Sequence, residues 1–139
     1  MSRENVSALE SVIRDMPQDA NFPSCHHFAH GIYVRETFLP ANTVCVGKIH
    51  RHSTVNLITT GLVKAFNPEQ PNLDKFMCAP FTFVSPGGSK RCVYAAQDTI
   101  WCTVHATEST DLEDIEEEFI IKDYDQLSVE ERAAIGART

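Results

Sequence analysis

The chain has 139 residues and a formal net charge of −7, from 12 lysines and arginines against 19 aspartates and glutamates. This length fits one domain over residues 1–139, with a hydrophobic core that needs no disulfides for stability. The negative charge and the lack of a basic cluster argue against binding to a nucleic-acid backbone, which depends on clustered positive charge.

The five cysteines are odd in number and form no Cys-x-x-Cys pair, which is typical of reduced, buried thiols in a cytoplasmic protein. The N-terminal residues lead into a charged amphipathic segment and not into the apolar core of a signal peptide. Nor does any apolar run approach the length that spans a membrane. We therefore expect a cytoplasmic protein without a membrane partner.

The first predicted element is an amphipathic helix over residues 4–16. Its apolar residues recur at helical spacing: Val6, Leu9, Val12, Ile13 and Met16. Pro17 ends the pattern, because proline inside a helix removes a hydrogen bond and clashes with the preceding turn. We expect this helix to pack against the domain or against a second copy of the chain, and to carry no chemistry.

The segment 31–107 is predicted to be a β domain, because short runs of β-branched and aromatic residues alternate there with turn residues. The predicted strands cover residues 31–39, 43–50, 55–60, 62–66, 75–78, 81–85, 91–95 and 99–105. Short strands at this spacing favour a mostly β jelly roll or a small barrel.

The tail, residues 110–139, is predicted to be helical and acidic. Two segments have the form of a capping box, Thr110-Asp111-Leu112-Glu113 and Ser128-Val129-Glu130-Glu131, and each predicts the start of a helix. The first helix extends through Phe119. We interpret its acidic run, 111–118, as a solvated helix face without a functional role.

The pair His50 and His52 is the first candidate for chemistry. Alternate side chains of a strand point to the same face, so both imidazoles would converge on one metal ion while Arg51 points away. Six histidines in a chain of this length give such a pair by chance on the order of a quarter of the time. The signal therefore depends on its setting between two predicted strands.

That setting resembles the cupins. Gly47, His50, His52 and Gly61 match the first cupin motif loosely, and Pro86-Gly87-Gly88-Ser89-Lys90-Arg91 looks similar to the second. The layout is similar to small single-domain cupins of bacteriophages and bacteria. The resemblance implies a cupin-like double-stranded β-helix, or jelly roll, over residues 31–107, with a short N-terminal helix and C-terminal helices. For a phage-encoded chain, the compartment would be the host cytoplasm.

Cupins commonly hold a divalent metal by three histidines and one glutamate. Here Asn56 stands in the glutamate position and Arg91 in that of the last histidine, and a guanidinium has no lone pair to offer a metal. His105 then becomes the third predicted ligand beside His50 and His52, although a water-capped strand-end histidine is the alternative. Three neutral imidazoles suit a divalent transition metal, Zn, Fe, Ni, Mn or Cu.

Other polar residues are candidates for binding a ligand. Arg91, helped by Arg35 or Lys48, is suited to clamp a carboxylate or phosphate bidentately, and the alternative for Lys48 is a position at the rim. Asn56 would donate a hydrogen bond to the ligand. Glu36 is the protein's candidate general base. A further cluster is interpreted as a loop that caps the barrel: Cys25, His26, His27 and His30.

Three functions therefore stay open. The first is a metal-binding cupin that acts on a small anionic or oxygen-bearing molecule, as a hydrolase, isomerase or dioxygenase. The alternative is a non-catalytic cupin, of phage or bacterial origin, that binds or sequesters a small ligand such as a nucleotide signal. The third is purely structural, with the helices as an oligomerisation surface and the barrel as a scaffold. Under all three we expect a homodimer or a higher homo-oligomer.

Overall fold

The computed structural model describes residues 3–14, 22–66 and 76–121. Within these ranges the chain forms two helices, α1 (Arg3–Arg14) and α2 (Leu112–Phe119). The strands are β1 (Ser24–Ala29), β2 (Ile32–Leu39), β3 (Thr43–Val46), β4 (Ile49–His50), β5 (Thr54–Thr60), β6 (Leu62–Phe66), β7 (Phe76–Cys78), β8 (Phe81–Ser85), β9 (Cys92–Ala95), β10 (Thr99–Ala106) and β11 (Ile120–Ile121).

Two antiparallel sheets make up the body of the molecule. One has the strand order β1-β2-β10-β5-β8, and the other has the order β3-β9-β6-β7. A separate pair joins β11 to β4. The sheets pack face to face, because one core cluster takes residues from both of them: Leu39, Ile58, Val63, Ala65, Met77, Val93, Ala95 and Trp101. The predicted mostly β fold is confirmed.

The period-2 alternation of strand side chains explains how this core forms. In β5, Asn56 and Ile58 are almost fully buried, while Val55 and Thr59 are exposed on the other face. In β6, Val63 is buried in the same way between more exposed neighbours. Each strand therefore gives one face to the core, as the alternating sequence predicts.

The prediction of a single strand over residues 43–50 is wrong, because this segment forms two strands. The first, β3, pairs with β9, whereas β4 pairs with β11. Between them the Gly47 amide donates to the Arg91 carbonyl at 2.9 Å. Arg51 and His52 follow in a bend, where the Arg51 amide donates to the Phe119 carbonyl at 2.7 Å. The two histidines therefore do not share a strand.

The cluster predicted as a capping loop is instead mostly strand. Cys25, His26 and His27 lie in β1, at the edge of the five-stranded sheet, and pair in register with β2. His30 lies in the turn that follows. Five of the six residues of β1 are exposed, so this edge strand needs no alternating apolar pattern. The segment therefore lacks the alternating pattern that predicts a strand.

The helices follow the prediction with small shifts. The predicted helix over 4–16 is confirmed as α1 over residues 3–14, and its last two predicted residues lie outside the described ranges. Lys90 forms an ion pair with Glu10 of α1. The N-cap of α2 is Asp111 and not Thr110: the Asp111 carboxylate accepts from the amides of Glu113 and Asp114 at 2.9 and 3.0 Å. The second predicted capping box also lies outside these ranges.

All five cysteines lie in described strands, and none forms a disulfide. Cys92 and Cys102 are buried as predicted, whereas Cys25 and Cys78 are exposed. In the part of the chain that the structure describes, neither helix is long and apolar enough to cross a membrane.

Candidate ligand-binding site

A cavity of about 510 Å³ lies between the two sheets. Strands of both sheets line it, and α2 supplies a further wall through Leu112, Ile115, Glu116 and Phe119. This volume is within the range of protein sites that take up small molecules, roughly 300–1,000 Å³. The cavity is the place where most of the predicted site residues meet.

The strand register places a row of polar residues along one wall of this cavity. Arg35 of β2 pairs with His26 of β1 on one side and with Thr103 of β10 on the other. Asn56 of β5 pairs with Thr103 in turn. Side chains of directly paired residues project from the same face of a sheet, and all four of these line the cavity.

Arg91 is the central charged group of the cavity. Its guanidinium donates to the Ser85 hydroxyl and, at 3.5 Å, to Asn56 Oδ1. Its carbon Cζ also lies 5.6 Å from the ring centre of Phe83 and 5.4 Å from that of Trp101, distances at which an aromatic ring attracts a cation. Burial lowers the pKa of Arg91 to about 10, so the side chain is positively charged at neutral pH.

Asn56 holds this guanidinium in position. Its amide Nδ2 donates to the Thr54 carbonyl at 2.9 Å and to Ser85 Oγ at 2.6 Å. Its Oδ1 accepts from Trp101 Nε1 at 3.0 Å and from Arg91. Both amide hydrogens are thereby used within the protein. Asn56 orients Arg91 and does not have a free donor for a ligand, in contrast to its predicted role.

Arg35 and Lys48 also line the cavity, as predicted, but in different electrostatic states. Lys48 forms an ion pair with Glu116 of α2, and both side chains are about half exposed. Arg35 is exposed at the cavity and has no acidic partner among the residues in the described ranges. Two guanidiniums, those of Arg35 and Arg91, therefore line the cavity without an ion pair to any carboxylate of the described ranges.

His50 and His105 lie side by side in the cavity wall, with ring centres 5.4 Å apart. Burial, together with the positive charge of Arg91, lowers the pKa of His50 to about 3. Burial and the nearby Arg35 lower the pKa of His105 as well. Both imidazoles are therefore neutral at pH 7.

This depressed pKa predicts that acid destabilises the protein through His50. Its folded-state pKa lies below its unfolded value, so the unfolded state binds the extra proton and stability falls as pH drops from 6.5 towards 3. We expect His50 to account for roughly 2 kcal/mol of the loss in the free energy of unfolding between pH 6.5 and 5. Urea denaturation at both values, on the wild type and a His50→Phe variant, measures this share.

The matched control for that experiment is His30→Asn, which removes an exposed histidine outside the cavity. The control should keep the pH dependence of the wild type, whereas His50→Phe should show a smaller loss on acidification. An identical pH dependence in His50→Phe and the wild type would contradict this assignment.

His52, the other half of the predicted pair, does not line the cavity. Its ring packs edge-on against Phe119 at 6.0 Å, and the opposite neighbour of Phe119 is His105, at 4.8 Å. The phenyl ring thus contacts both histidines. Across the described ranges, no group of three or more His, Cys, Asp or Glu side chains is placed to hold a metal ion. The structure brings two of the three predicted ligands together, and not the third.

Glu36, the candidate general base, is not among the residues that line the cavity. It alternates with Arg35 along β2, and adjacent strand residues point to opposite faces of a sheet. On the outer face its carboxylate lies 3.6 Å from His27 Nε2 and accepts a hydrogen bond from the Cys102 thiol at 3.8 Å. Burial raises the pKa of the Cys102 thiol, and the contact with Glu36 raises it further.

The wall formed by α2 was missed by the sequence interpretation, which assigned this helix no function. Ile115 and Phe119 are buried and form a cluster with Tyr33 of β2. After the helix, Ile120 pairs with His50, which fixes α2 beside the cavity. The sequence did contain a signal for this buried helix face. Its apolar residues follow an i, i+3, i+7 spacing, at Leu112, Ile115 and Phe119.

Comparisons with known proteins agree with this architecture. No protein-family model and no curated protein matches the sequence. Ectoine synthase from P. lautus has the same fold with a TM-score of 0.58 and 14% identity, over 86% of this chain and 93% of that one. A cupin superfamily protein from Desulfitobacterium hafniense DCB-2 has a TM-score of 0.52 and 7% identity, over 67% and 84%. The protein has the cupin fold.

KdgF from Halomonas sp. is also similar in structure, with a TM-score of 0.53 and 13% identity, over 72% of this chain and 93% of that one. At such identities the likeness shows the fold alone. The double-stranded β-helix predicted from the motifs is confirmed. What this barrel binds depends on its own side chains and does not follow from the fold.

Those residues do not fit the metal site that the cupin resemblance implies. His50 and His105 are adjacent, but in the sequence Arg91 and Asn56 stand where the cupin motifs have a histidine and a glutamate. The Asn56 oxygen is already engaged by Trp101 and Arg91. A divalent cation placed here would meet the fixed positive charge of Arg91, and the one carboxylate that lines the cavity in the described ranges, that of Glu116, is paired with Lys48.

Proposed function

We propose that this cupin barrel binds a small organic acid, whose carboxylate or phosphate group pairs with Arg91 and Arg35. The observation that supports the proposal is the pair of guanidiniums lining the cavity without an acidic partner in the described ranges. Lys48, the third cation there, already has Glu116. An anionic ligand supplies the missing charge.

The free donors of Arg91 strengthen this assignment. A guanidinium has five N–H donors, and those of Arg91 form hydrogen bonds to only two described residues, Asn56 and Ser85. A buried charge without a counter-charge is costly. A bidentate bond to a carboxylate or phosphate would use the remaining donors and lower that cost. Asn56, Ser85 and the two aromatic rings hold the guanidinium in place before the ligand arrives.

The rest of the lining favours an organic ligand over a free inorganic ion. Leu39, Val93 and Trp101 line the inner part of the cavity, and Ile115 and Phe119 line the wall formed by α2. These side chains have no hydrogen bonds to offer an ion, whereas they bury apolar surface of a ligand favourably. We infer a ligand with one anionic group and an apolar or aromatic body.

The test is calorimetric titration of chelator-treated protein with three probes that share a phenyl body: 3-phenylpropionate, phenyl phosphate and the uncharged 3-phenylpropanamide. The proposal expects one or both acids to bind and the amide to bind at least about tenfold more weakly. Comparison of the two acids distinguishes a carboxylate site from a phosphate site. Equal binding of the amide and the acids would contradict the proposal.

A second measurement decides between this proposal and the metal-dependent function. Elemental analysis of protein purified without added metal gives the metal content per chain. One transition metal per chain, lost together with acid binding in a His50→Ala, His105→Ala double variant, would overturn the proposal. Acid binding by metal-free protein supports it.

The ion pair between Lys48 and Glu116 leads to a kinetic prediction. It joins the α2 wall to the corner between β3 and β4, and both residues line the cavity. We expect Glu116→Gln to speed both association and dissociation of an acid probe severalfold with little change in stability, because exposed ion pairs contribute about 0–1 kcal/mol. Stopped-flow fluorescence measures the rates, since Trp101, the single tryptophan of the chain, lines the cavity.

The control for this prediction is Glu117→Gln, which removes the same charge from the next, exposed position of α2 outside the cavity lining. Its exchange rates should equal those of the wild type. Equal rates in Glu116→Gln and Glu117→Gln would show that the ion pair does not control access.

A further inference from the structure

The hydrogen bonds around His50 determine which of its ring nitrogens carries the proton. The Thr54 hydroxyl donates its hydrogen to the His52 carbonyl at 3.3 Å. His50 Nδ1 lies 3.2 Å from the same hydroxyl oxygen, which has only lone pairs left to offer. This arrangement favours Nδ1 as the protonated donor. In a neutral imidazole this leaves Nε2 as an acceptor, and it has no hydrogen-bond partner in the described part of the chain.

His105, beside it, is also without a hydrogen-bond partner among the described residues. Its side chain is 9% exposed, and its contacts are ring contacts to Tyr33, His50 and Phe119. Buried polar groups are almost always hydrogen-bonded, and an exception calls for a partner such as a ligand or water. Two unsatisfied imidazoles thus face the cavity beside the two guanidiniums.

We propose that the acid bound by Arg91 carries a hydroxyl group close to its anionic group, and that His50 Nε2 accepts the hydrogen of this hydroxyl. This inference rests on the proposed function and names the ligand class as hydroxy acids. An unprotonated nitrogen repels an anionic oxygen and attracts an O–H donor. His105 is placed to bond a second polar atom of the same ligand.

The expected consequence is selectivity for hydroxylated acids. A site with a buried acceptor rejects the analogue that lacks the donor, because the acceptor then stays desolvated and unpaired. An acid without the hydroxyl should therefore bind roughly 10- to 100-fold more weakly. The geometry that gives this selectivity comes from Thr54, which acts as a positioning residue through the tautomer of His50.

The experiment compares 3-phenyllactate with 3-phenylpropionate, which differ by one hydroxyl next to the carboxylate. Titration calorimetry at neutral pH should give the wild type at least a tenfold preference for 3-phenyllactate. His50→Phe keeps an aromatic ring but no acceptor, so it should bind both acids alike. The matched control is His52→Phe, outside the cavity lining, which should keep the preference.

A second variant keeps the inference falsifiable in case His50→Phe does not fold. Thr54→Val removes the hydroxyl that fixes the tautomer while conserving the shape of the side chain, and it should reduce the preference without abolishing acid binding. Independently of any ligand, long-range proton–nitrogen NMR should show His50 protonated at Nδ1 in the wild type. Protonation at Nε2 would overturn the inference.

The outcomes separate this inference from the proposed function. Equal affinity of the wild type for both acids would overturn the hydroxyl assignment and leave acid binding intact. Preference retained in His50→Phe would also overturn it. Failure of the wild type to bind either acid, or any other anionic probe, would remove the proposed function and the inference with it.

Discussion

An Arg91→Met variant is expected to lose most of its affinity for an acid probe while keeping its fold. Methionine has a similar length and no charge, so the variant removes the guanidinium from between the rings of Phe83 and Trp101. Hydrogen bonds to a charged group are worth about 1.5–3 kcal/mol, which corresponds to a loss of roughly 10- to 150-fold in affinity. Titration with 3-phenylpropionate or phenyl phosphate measures it.

The fold should survive because the partners of Arg91 keep other hydrogen bonds. Asn56 Oδ1 still accepts from Trp101, and Asn56 Nδ2 still donates to Ser85. Replacing a buried charge by an apolar group of similar size is often neutral or stabilising. We therefore expect the free energy of unfolding to stay constant or to rise while binding is lost, a combination that general damage to the structure does not produce.

The control for this variant is Arg51→Met, which removes the same charge from a residue that does not line the cavity. It should bind acids as the wild type does. Arg91→Lys should bind with intermediate affinity, because an ammonium keeps the charge and loses the bidentate geometry. Unchanged affinity in Arg91→Met would remove Arg91 from the binding site.

The largest loss of stability is expected from Gly61→Ala, in the connection between β5 and β6. Gly61 has a φ of +102°, a conformation that residues with a side chain rarely adopt. An added Cβ would lie 2.5 Å from the Asp98 carbonyl oxygen and 2.8 Å from Thr99 Cα. Both of these are backbone atoms, so the clash cannot be relieved by a rotamer change.

We expect Gly61→Ala to lower the free energy of unfolding by about 3 kcal/mol or more, from the strained φ together with the overlap. Chemical denaturation of the wild type and the variant measures the difference. Gly47→Ala is the matched control, because its Cβ would meet its nearest neighbours, two atoms of Arg91, at an ordinary 3.8 Å. A loss below 1 kcal/mol in Gly61→Ala would contradict the backbone clash.

The sequence predicts most strands of the barrel because their alternation is regular, and it predicts Arg91 as a ligand-binding residue because its motif position is unusual. The position of Glu36 could also have been predicted from the sequence. Adjacent residues of a strand point to opposite faces of the sheet, so Arg35 and Glu36 cannot both point into one cavity. The register then brings Arg35 to the cavity and sends Glu36 to the outer face.

Other features depend on contacts that no local pattern contains. The register of β3 with β9 continues to Gly47, whose amide donates to the Arg91 carbonyl, and the next strand, β4, then pairs with β11 instead. Phe119 lies against His52 and His105 only because Ile120 pairs with His50. The packing of α2 and the pairing of β11 with β4 thus decide which histidines reach the cavity. Both are tertiary contacts, which the local sequence pattern does not specify.

Arg91 also changes which conditions can control ligand binding in this cavity. A bound metal ion can be removed by a chelator, exchanged for another metal or oxidised, whereas a guanidinium is covalently part of the chain and undergoes none of these. With a pKa of about 10, it also keeps its charge over the whole physiological pH range. The positive charge of this barrel is therefore independent of metal supply and of redox conditions.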